Sequence, residues 1–100
     1  MDPDLSDLTI ADVVVSTAGR DQGKLYYVLS FDDTHFQLVN GKDKTIENPK
    51  LKKRKHAKKV LRSETRVAQK LRVGDKVLNS ELRRDLAYLS QELQSNNLGG

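Results

Sequence analysis

Short apolar runs separated by polar turns fill the first half of the chain. Residues 12–16 (DVVVS) and residues 24–31 (KLYYVLSF) are rich in β-branched and aromatic side chains, which is typical of strands. Residues 35–40 (HFQLVN) alternate between apolar and polar positions, so Phe36 and Leu38 are expected on one face of a third strand. The pattern predicts consecutive strands joined by tight turns.

The connections between these runs carry residues that turns require. Residues 16–24 (STAGRDQGK) place two glycines between the first two strands, and residues 32–34 (DDT) separate the second from the third. Asn40-Gly41 is a strong hairpin signal, because both residues tolerate positive φ. We expect it to lead into a short fourth strand at residues 45–47. Four short strands with such turns predict a small antiparallel barrel.

A basic segment follows Asn48-Pro49, which ends the strand pattern because proline cannot continue a hydrogen-bonded ladder. Residues 50–59 (KLKKRKHAKK) contain two apolar side chains, Leu51 and Ala57. The segment fits either a fifth strand or an extended arm, and the sequence does not choose between them.

The apolar spacing changes to a helical period after Val60. Ser63 is the predicted start of a first helix, and Gly74 is its predicted end. One side of this helix is apolar, and the opposite side carries cations at i, i+4 and i+8. The apolar positions are Val67, Ala68 and Leu71, and the cations are Arg62, Arg66 and Lys70. We expect the helix to dock one face and to offer the other to an anion.

A second helix is predicted from Asn79 or Ser80, either of which can cap it. Its leucines recur at i, i+4, i+7 and i+11, at positions Leu82, Leu86, Leu89 and Leu93. This stripe must pack on the first helix, on the barrel or on a partner chain. The predicted domain plan is an acidic segment at residues 1–8, a barrel with a basic arm at 9–59, a helical extension at 60–95 and a flexible tail at 96–100.

Charge along the chain is strongly segregated. The 100 residues carry a net charge of +4, with 32% charged and 36% hydrophobic residues, which suits one small domain. Residues 1–12 contain four Asp and no cation, whereas residues 50–72 hold eleven of the 18 Lys and Arg residues against the single acid Glu64. A cation block of this density repels itself unless an anion lies beside it, and it is the usual footprint of a polyanion binder.

Candidate catalytic and metal-binding groups are few. The chain has no Cys, and its two histidines, His35 and His56, are not at a metal-ligand spacing with a carboxylate pair. Asp32 and Asp33 are adjacent turn residues, whose side chains are expected to diverge. No apolar run has the length of a signal peptide or of a membrane span. We therefore expect a soluble, cytoplasmic, non-enzymatic protein without cofactor, metal, small-molecule substrate or membrane partner.

The stretch from Val13 to Leu38 resembles a known element. A valine strand, a polar turn with the sequence GRDQGK and an apolar strand resemble the KOW motif, in which hydrophobic alternation surrounds one fixed glycine. Gly23 matches that glycine, and Gly19 matches its usual companion in ribosomal members. With the Asn-Gly hairpin and the segment NPKLKKRKH, the likeness covers about residues 9–58. It extends to short bacterial KOW proteins related to large-subunit ribosomal proteins of archaea and eukaryotes.

The resemblance implies a mainly β fold, an SH3-like barrel of about five strands that binds RNA, here followed by two helices. Ribosomal members contact ribosomal RNA through the first turn and nearby basic residues. In this chain Arg20, Asp21 and Gln22 are expected to be exposed in that turn. The helix cations are added on charge and spacing alone. The residues expected to contact RNA are Arg20, Gln22, Gly23, Lys24, Lys50, Lys52, Lys53, Arg54, Lys55, His56, Lys58, Lys59, Arg62, Arg66 and Lys70.

Physical chemistry supports RNA as the ligand of these residues. Turn glycines allow backbone N–H groups to approach phosphate closely, Arg20 can bind a phosphate or a guanine edge, and lysines neutralise phosphates. Aromatic side chains at Tyr26, Tyr27 and Phe36 can stack on bases. Because Tyr26 and Tyr27 are adjacent in a strand, one at most is expected in the core, and the other is the best stacking candidate.

Several functions remain open from the sequence. The chain is an RNA-binding protein of the ribosome, a protein-interaction barrel of the transcription or translation machinery as in NusG-type factors, or a non-specific DNA binder. The cation block favours the first, because an interaction barrel needs no such density. Turn geometry alone also explains the two turn glycines, and a solvated arm that is disordered without a partner also explains the basic segment.

Overall fold

The computed structural model of the protein describes residues 8–99, with side chains to Gln94. The predicted acidic segment, apart from Leu8, and the last residue of the predicted tail lie outside the described residues. The strands are β1 (Asp12–Ser16), β2 (Leu25–Phe31), β3 (His35–Val39), β4 (Lys50–Lys53) and β5 (Ala57–Arg62), and the helices are α1 (Arg66–Val73) and α2 (Asn79–Gly99). A 3₁₀ turn, Arg54–His56, joins β4 to β5.

The strands form one antiparallel sheet in the order β4-β3-β2-β1-β5. Strands β1 to β4 pair with their neighbours in sequence, and β5 returns to the free side of β1. Since a link of three residues joins the two edge strands, the sheet must curl until its edges approach at that corner. No ladder joins β4 to β5 in the described chain. The mainly β fold with C-terminal helices is confirmed, but the expected barrel is not closed and the sheet stays open along one seam.

Apolar side chains cover both faces of this sheet. One core joins Val13, Tyr27 and Val39 to the helices, and the other core lies on the opposite face and includes Tyr26 and Phe36. Tyr26 and Tyr27 are both 0% exposed. The expectation that one of the two tyrosines stacks on bases is therefore wrong, because a strand covered on both faces buries successive side chains.

The predicted fourth strand at residues 45–47 is wrong. Thr45 and Asn48 form an isolated bridge around a turn, in which the Asn48 N–H donates to the Thr45 carbonyl at 3.0 Å. The segment docks on the start of α2 instead, where the Ile46 N–H donates to Asn79 Oδ1 at 3.1 Å. A tertiary contact therefore replaces the strand pairing that the short apolar run suggested.

The basic segment at residues 50–59 forms β4, the 3₁₀ turn and the start of β5. Of the two alternatives, the strand is the one observed. The segment supplies both edges of the sheet, so its lysines lie along the two edge strands and the turn that joins them.

Both helices follow the predicted pattern closely. Thr65 caps α1 by accepting a hydrogen bond from the Ala68 N–H at 3.2 Å, so the helix begins slightly after Ser63, its predicted start. Ser63 is instead buried, with its hydroxyl 2.9 Å from the Tyr27 hydroxyl. Gly74 ends the helix in the left-handed conformation at φ 74°, as predicted.

Helix α2 packs its leucine stripe on the sheet and on α1. Leu82, Leu86 and Leu89 are buried in the core that contains Tyr27, so the stripe is core and not a surface for a partner. Burial and a hydrogen bond to Asp85 of α2 raise the pKa of Tyr27 to about 12. The helix runs to Gly99, beyond its predicted end at residue 95. Neither helix in the described part of the chain has the length and apolar character that a membrane span requires.

Candidate nucleic-acid interface

Asp21, in the loop between β1 and β2, is the centre of a buried polar network. Its carboxylate accepts hydrogen bonds from Lys52 Nζ at 2.8 Å, from Ser16 Oγ at 2.9 Å and from the Tyr26 hydroxyl at 3.2 Å. Burial opposes ionisation, but the donors, led by Lys52 and Ser16, hold the pKa of Asp21 well below its usual range. The expectation that Asp21 is exposed beside Arg20 is therefore wrong.

Two lysines of β4 point toward this carboxylate. Lys52 Nζ donates both to Asp21 and to the Ala18 carbonyl, each at 2.8 Å, and the residue is only 9% exposed. Lys50 Nζ lies 3.4 Å from the other oxygen of Asp21. Because successive strand residues point to opposite faces, Lys50 and Lys52 share this side, whereas Leu51 and Lys53 point away. Lys52 therefore fixes the loop to the sheet and is not accessible to an RNA.

The backbone of the same loop is occupied by internal hydrogen bonds. Gly23 N–H donates to the Ser16 carbonyl at 2.8 Å, Gln22 N–H to the Gly19 carbonyl at 3.2 Å and Lys24 N–H to the Asp21 carbonyl at 3.0 Å. These amides are not free to bind phosphate, which removes the backbone contact expected at the turn glycines. The side chains of Arg20, Gln22 and Lys24 remain exposed, and Lys24 Nζ lies 3.2 Å from Asp43.

A cationic pocket of about 340 Å³ opens beside this loop, and we call it the loop pocket. Its lining combines the predicted cations with one that the sequence pattern did not indicate, Lys44. The charged side chains around it are Arg20, Lys24, Lys44, Lys50 and Lys52, with Asp21 and Asp43. Five cations against two acids leave a charge of +3 around the pocket.

The 3₁₀ turn forms a corner of the molecule where the two sheet edges meet. The Arg54 guanidinium carbon lies 5.7 Å from the ring centre of Phe31 and 5.6 Å from that of Phe36, within the range of a cation–π contact. Its Nη1 donates to the Asp32 carbonyl at 2.6 Å. Arg54 thus holds the turn against the β2–β3 connection, and Phe31 remains 39% exposed beside it. His56 is half-buried, and its carbonyl accepts from the Thr17 N–H at 2.9 Å.

Three exposed lysines, Lys53, Lys55 and Lys58, flank the 3₁₀ turn, and we call them the corner lysines. Within the described residues, none of their ammonium groups belongs to an ion pair. These are the lysines of the predicted basic segment that combine exposure with a charge that no described acid neutralises.

Of the four remaining predicted cations, three lie in ion pairs that stabilise the fold. Lys59 Nζ lies 3.2 Å and Arg62 Nε 3.6 Å from Asp12, whose side chain is fully buried. On the helices, Lys70 Nζ lies 3.0 Å from Glu81, so α1 does not present the free cationic stripe that its spacing predicted. Arg66 is exposed.

Sequence reasoning missed Phe31 and Lys44 as parts of these two surfaces. Phe31 ends β2 immediately before the Asp32–Thr34 turn, and an aromatic residue at the exposed end of a strand was a usable signal. Lys44 reaches the loop pocket through the fold of the connection after β3, for which the sequence has no comparable signal.

Two comparisons with known proteins do not assign the chain to a family. A scan against protein-family models gives no match, and a search of curated proteins gives none either. Among the described residues, no group of three or more His, Cys, Asp and Glu side chains is arranged to hold a metal ion. Function therefore has to be inferred from the charges and the geometry of the loop pocket and the corner lysines.

Proposed function

We propose that this chain is a non-catalytic, cytoplasmic RNA-binding protein of the KOW type, with an open SH3-like sheet, which associates with ribosomal RNA or with the ribosome. The observation that carries the proposal is the set of corner lysines, which are exposed, close in sequence and without acidic partners in the described chain. Like charges that face water beside one another repel, and a phosphate backbone relieves that repulsion. The likeness to the KOW motif favours RNA among the polyanions.

In this proposal both the corner lysines and the loop pocket contact the RNA. The corner lysines neutralise phosphates, and Phe31 beside them offers an exposed ring on which a base can stack. Arg20, at the rim of the loop pocket, can bind a further phosphate in a bidentate manner. Lys52 and Lys59, which are bound to buried carboxylates, hold the framework that positions these groups.

A protein-interaction module of the transcription or translation machinery is the second candidate. It is favoured by three exposed apolar side chains in the helical part, namely Val73 at 78%, Leu78 at 53% and Tyr88 at 55% exposure. These residues are distinct from the corner lysines. Substitutions on the two surfaces therefore separate the two candidates.

Reversal of the corner lysines tests the RNA interface. The variant Lys53→Glu/Lys55→Glu/Lys58→Glu should bind fragments of large-subunit ribosomal RNA at least about 100-fold more weakly at 0.1 M salt, because three phosphate contacts are lost. The slope of log K against log salt should become shallower by about 2, at roughly 0.7 per contact with single-stranded RNA. Fluorescence anisotropy over a salt series measures both quantities. Lys52 is left unchanged because it is buried.

The matched control changes the net charge equally but elsewhere. The variant Lys42→Glu/Lys76→Glu/Arg84→Glu reverses three exposed cations outside the corner. If both triple variants lose the same affinity for RNA relative to the unchanged protein, the loss reflects the net charge alone, and the corner is not the interface. Retained cooperative thermal unfolding shows that each variant is folded.

Co-sedimentation tests the link to the ribosome. The protein should travel with the large subunit at low salt, leave it as salt rises and leave it after ribonuclease treatment. A protein that stays at the top of the gradient under every condition contradicts the ribosomal proposal and directs attention to the apolar helical surface.

A further inference from the structure

A second cavity, of about 420 Å³, lies between the β2–β3 turn and the 3₁₀ turn. Its volume falls within the range of about 300–1,000 Å³ that is typical of small-molecule sites. The lining consists of Asp33, Thr34, His35, Lys53, Arg54 and Lys55. It therefore includes two of the corner lysines, and we call it the corner pocket.

The walls of the corner pocket are fixed before any ligand arrives. Asp32 Oδ1 accepts from the N–H groups of Thr34 at 2.9 Å and of His35 at 2.8 Å, which holds the β2–β3 turn. The Arg54 N–H donates to the Thr34 carbonyl at 2.9 Å, which joins the 3₁₀ turn to it. With the guanidinium set over Phe31 as well, the backbone that carries the side chains of the pocket is ordered before a ligand binds, which lowers the cost of binding.

The lining of the corner pocket combines cations with a carboxylate, which suits a ligand of mixed character better than a simple anion. Lys53 and Lys55 favour a phosphate, but the Asp33 carboxylate at the same pocket repels one. Asp33 is exposed and has no ion-pair partner among the described residues. The lining therefore suits a ligand that offers hydrogen-bond donors to a carboxylate and negative charge to two ammonium groups, which is the combination that a nucleotide presents.

A carboxylate selects among the four bases of RNA because it only accepts hydrogen bonds. Guanine carries two adjacent donors, N1–H and the N2 amino group, on its Watson–Crick edge. Adenine and cytosine place a ring-nitrogen acceptor beside their amino donor, and uracil flanks its single donor with carbonyls, so each turns a lone pair toward the carboxylate. Unpaired bases in RNA loops expose this edge, and arginine and aromatic planes stack on them.

We propose that the corner pocket binds one unpaired guanine nucleotide of the RNA, with Asp33 accepting from N1–H and the N2 amino group while Lys53 and Lys55 face the adjoining phosphates. This inference rests on the proposed function and adds base selectivity to it. The corner lysines then supply salt-dependent affinity, and Asp33 supplies the preference among sequences.

Labelled seven-nucleotide RNAs test the inference. Each is oligouridylate with guanosine, inosine, adenosine or uridine at the central position, and inosine lacks only the N2 amino group. The guanosine oligonucleotide should bind about 10- to 100-fold more tightly than the uridine one, with inosine between them. In Asp33→Asn this preference should disappear, because the amide replaces one acceptor by a donor. Affinity for oligouridylate should be kept or should rise, because the variant loses a negative charge. Asp75→Asn, at another exposed carboxylate, should keep the preference.

The outcomes separate this inference from the proposed function. Equal, salt-sensitive binding of all four oligonucleotides, or a guanine preference that survives in Asp33→Asn, overturns the guanine pocket and leaves RNA binding intact. Absence of binding to the four oligonucleotides and to ribosomal RNA alike overturns both.

Discussion

Gly41→Ala should lower the free energy of unfolding by about 2–5 kcal/mol, since backbone strain and overpacking add at this position. Gly41 has φ +76°, which L-residues rarely adopt. A Cβ at Gly41 would overlap the backbone carbonyl oxygen of Asn79 and would lie 2.9 Å from Leu82 Cβ, at the first turn of α2. The helix backbone cannot yield as a flexible side chain does, so the loop must detach from α2. Urea denaturation followed by circular dichroism measures the loss.

Gly23→Ala is the matched control for this prediction. Gly23 has a similar φ of +91°, but a Cβ there would meet nothing within 4 Å. The free energy of unfolding of this variant should therefore fall only by the cost of the left-handed backbone conformation, about 1–2 kcal/mol. An equal loss in both variants would show that close packing of the Gly41 loop on α2 contributes nothing to stability.

Lys52→Ala should destabilise the protein by about 3 kcal/mol, because it leaves the buried Asp21 carboxylate with Lys50 as its remaining cationic partner.

The pH dependence of stability should change as well in Lys52→Ala. The pKa of Asp21 in the folded protein lies below its unfolded value of about 3.9, so the ionised carboxylate stabilises the fold above that pH. This contribution is lost as the pH falls below about 4. In Lys52→Ala the pKa difference is smaller, so stability should start lower and fall less steeply between about pH 5 and pH 2, as thermal melts at several pH values would measure.

Two further variants test whether the ion pair is the cause. Lys53→Ala removes the neighbouring exposed lysine of β4 and should change stability by no more than about 0.5 kcal/mol. Asp21→Asn/Lys52→Met removes both charges and should be more stable than Lys52→Ala alone, because no buried carboxylate is left without its closest cation. If Lys52→Ala is as stable as Lys53→Ala, the network around Asp21 does not hold the loop.

The parts of the fold that local pattern decides were predictable. The β-branched run of β1 and the aromatic run of β2 match the observed strands almost residue for residue, and alternation located β3. Gly74 and the leucine spacing of α2 likewise identified the helix end and the buried helix face. In each case the signal and the structure it specifies lie within one element.

Two of the misses depend on contacts between distant segments. Lys52 looks like its neighbours in a lysine-rich run, and only its approach to Asp21, in another part of the chain, makes it structural. Residues 45–47 likewise form no strand because Ile46 hydrogen-bonds to Asn79, which is distant in sequence. The burial of Tyr26 and Tyr27 has a local signal, because the continuous apolar run of LYYVL is typical of a strand covered on both faces.

The open seam has a consequence for self-association. Unpaired strand edges are templates for strands of other molecules, and natural proteins guard them with short strands and with lysine. Here β4 has four residues and β5 has six, and charged side chains lie exposed on both, including Lys53 on β4 and Lys58 on β5. Leu51, at 65% exposure, lies within the first of these edges. Replacing the edge lysines with alanine would therefore remove a barrier to intermolecular sheet growth, whereas glutamate keeps the edges charged and the molecules apart.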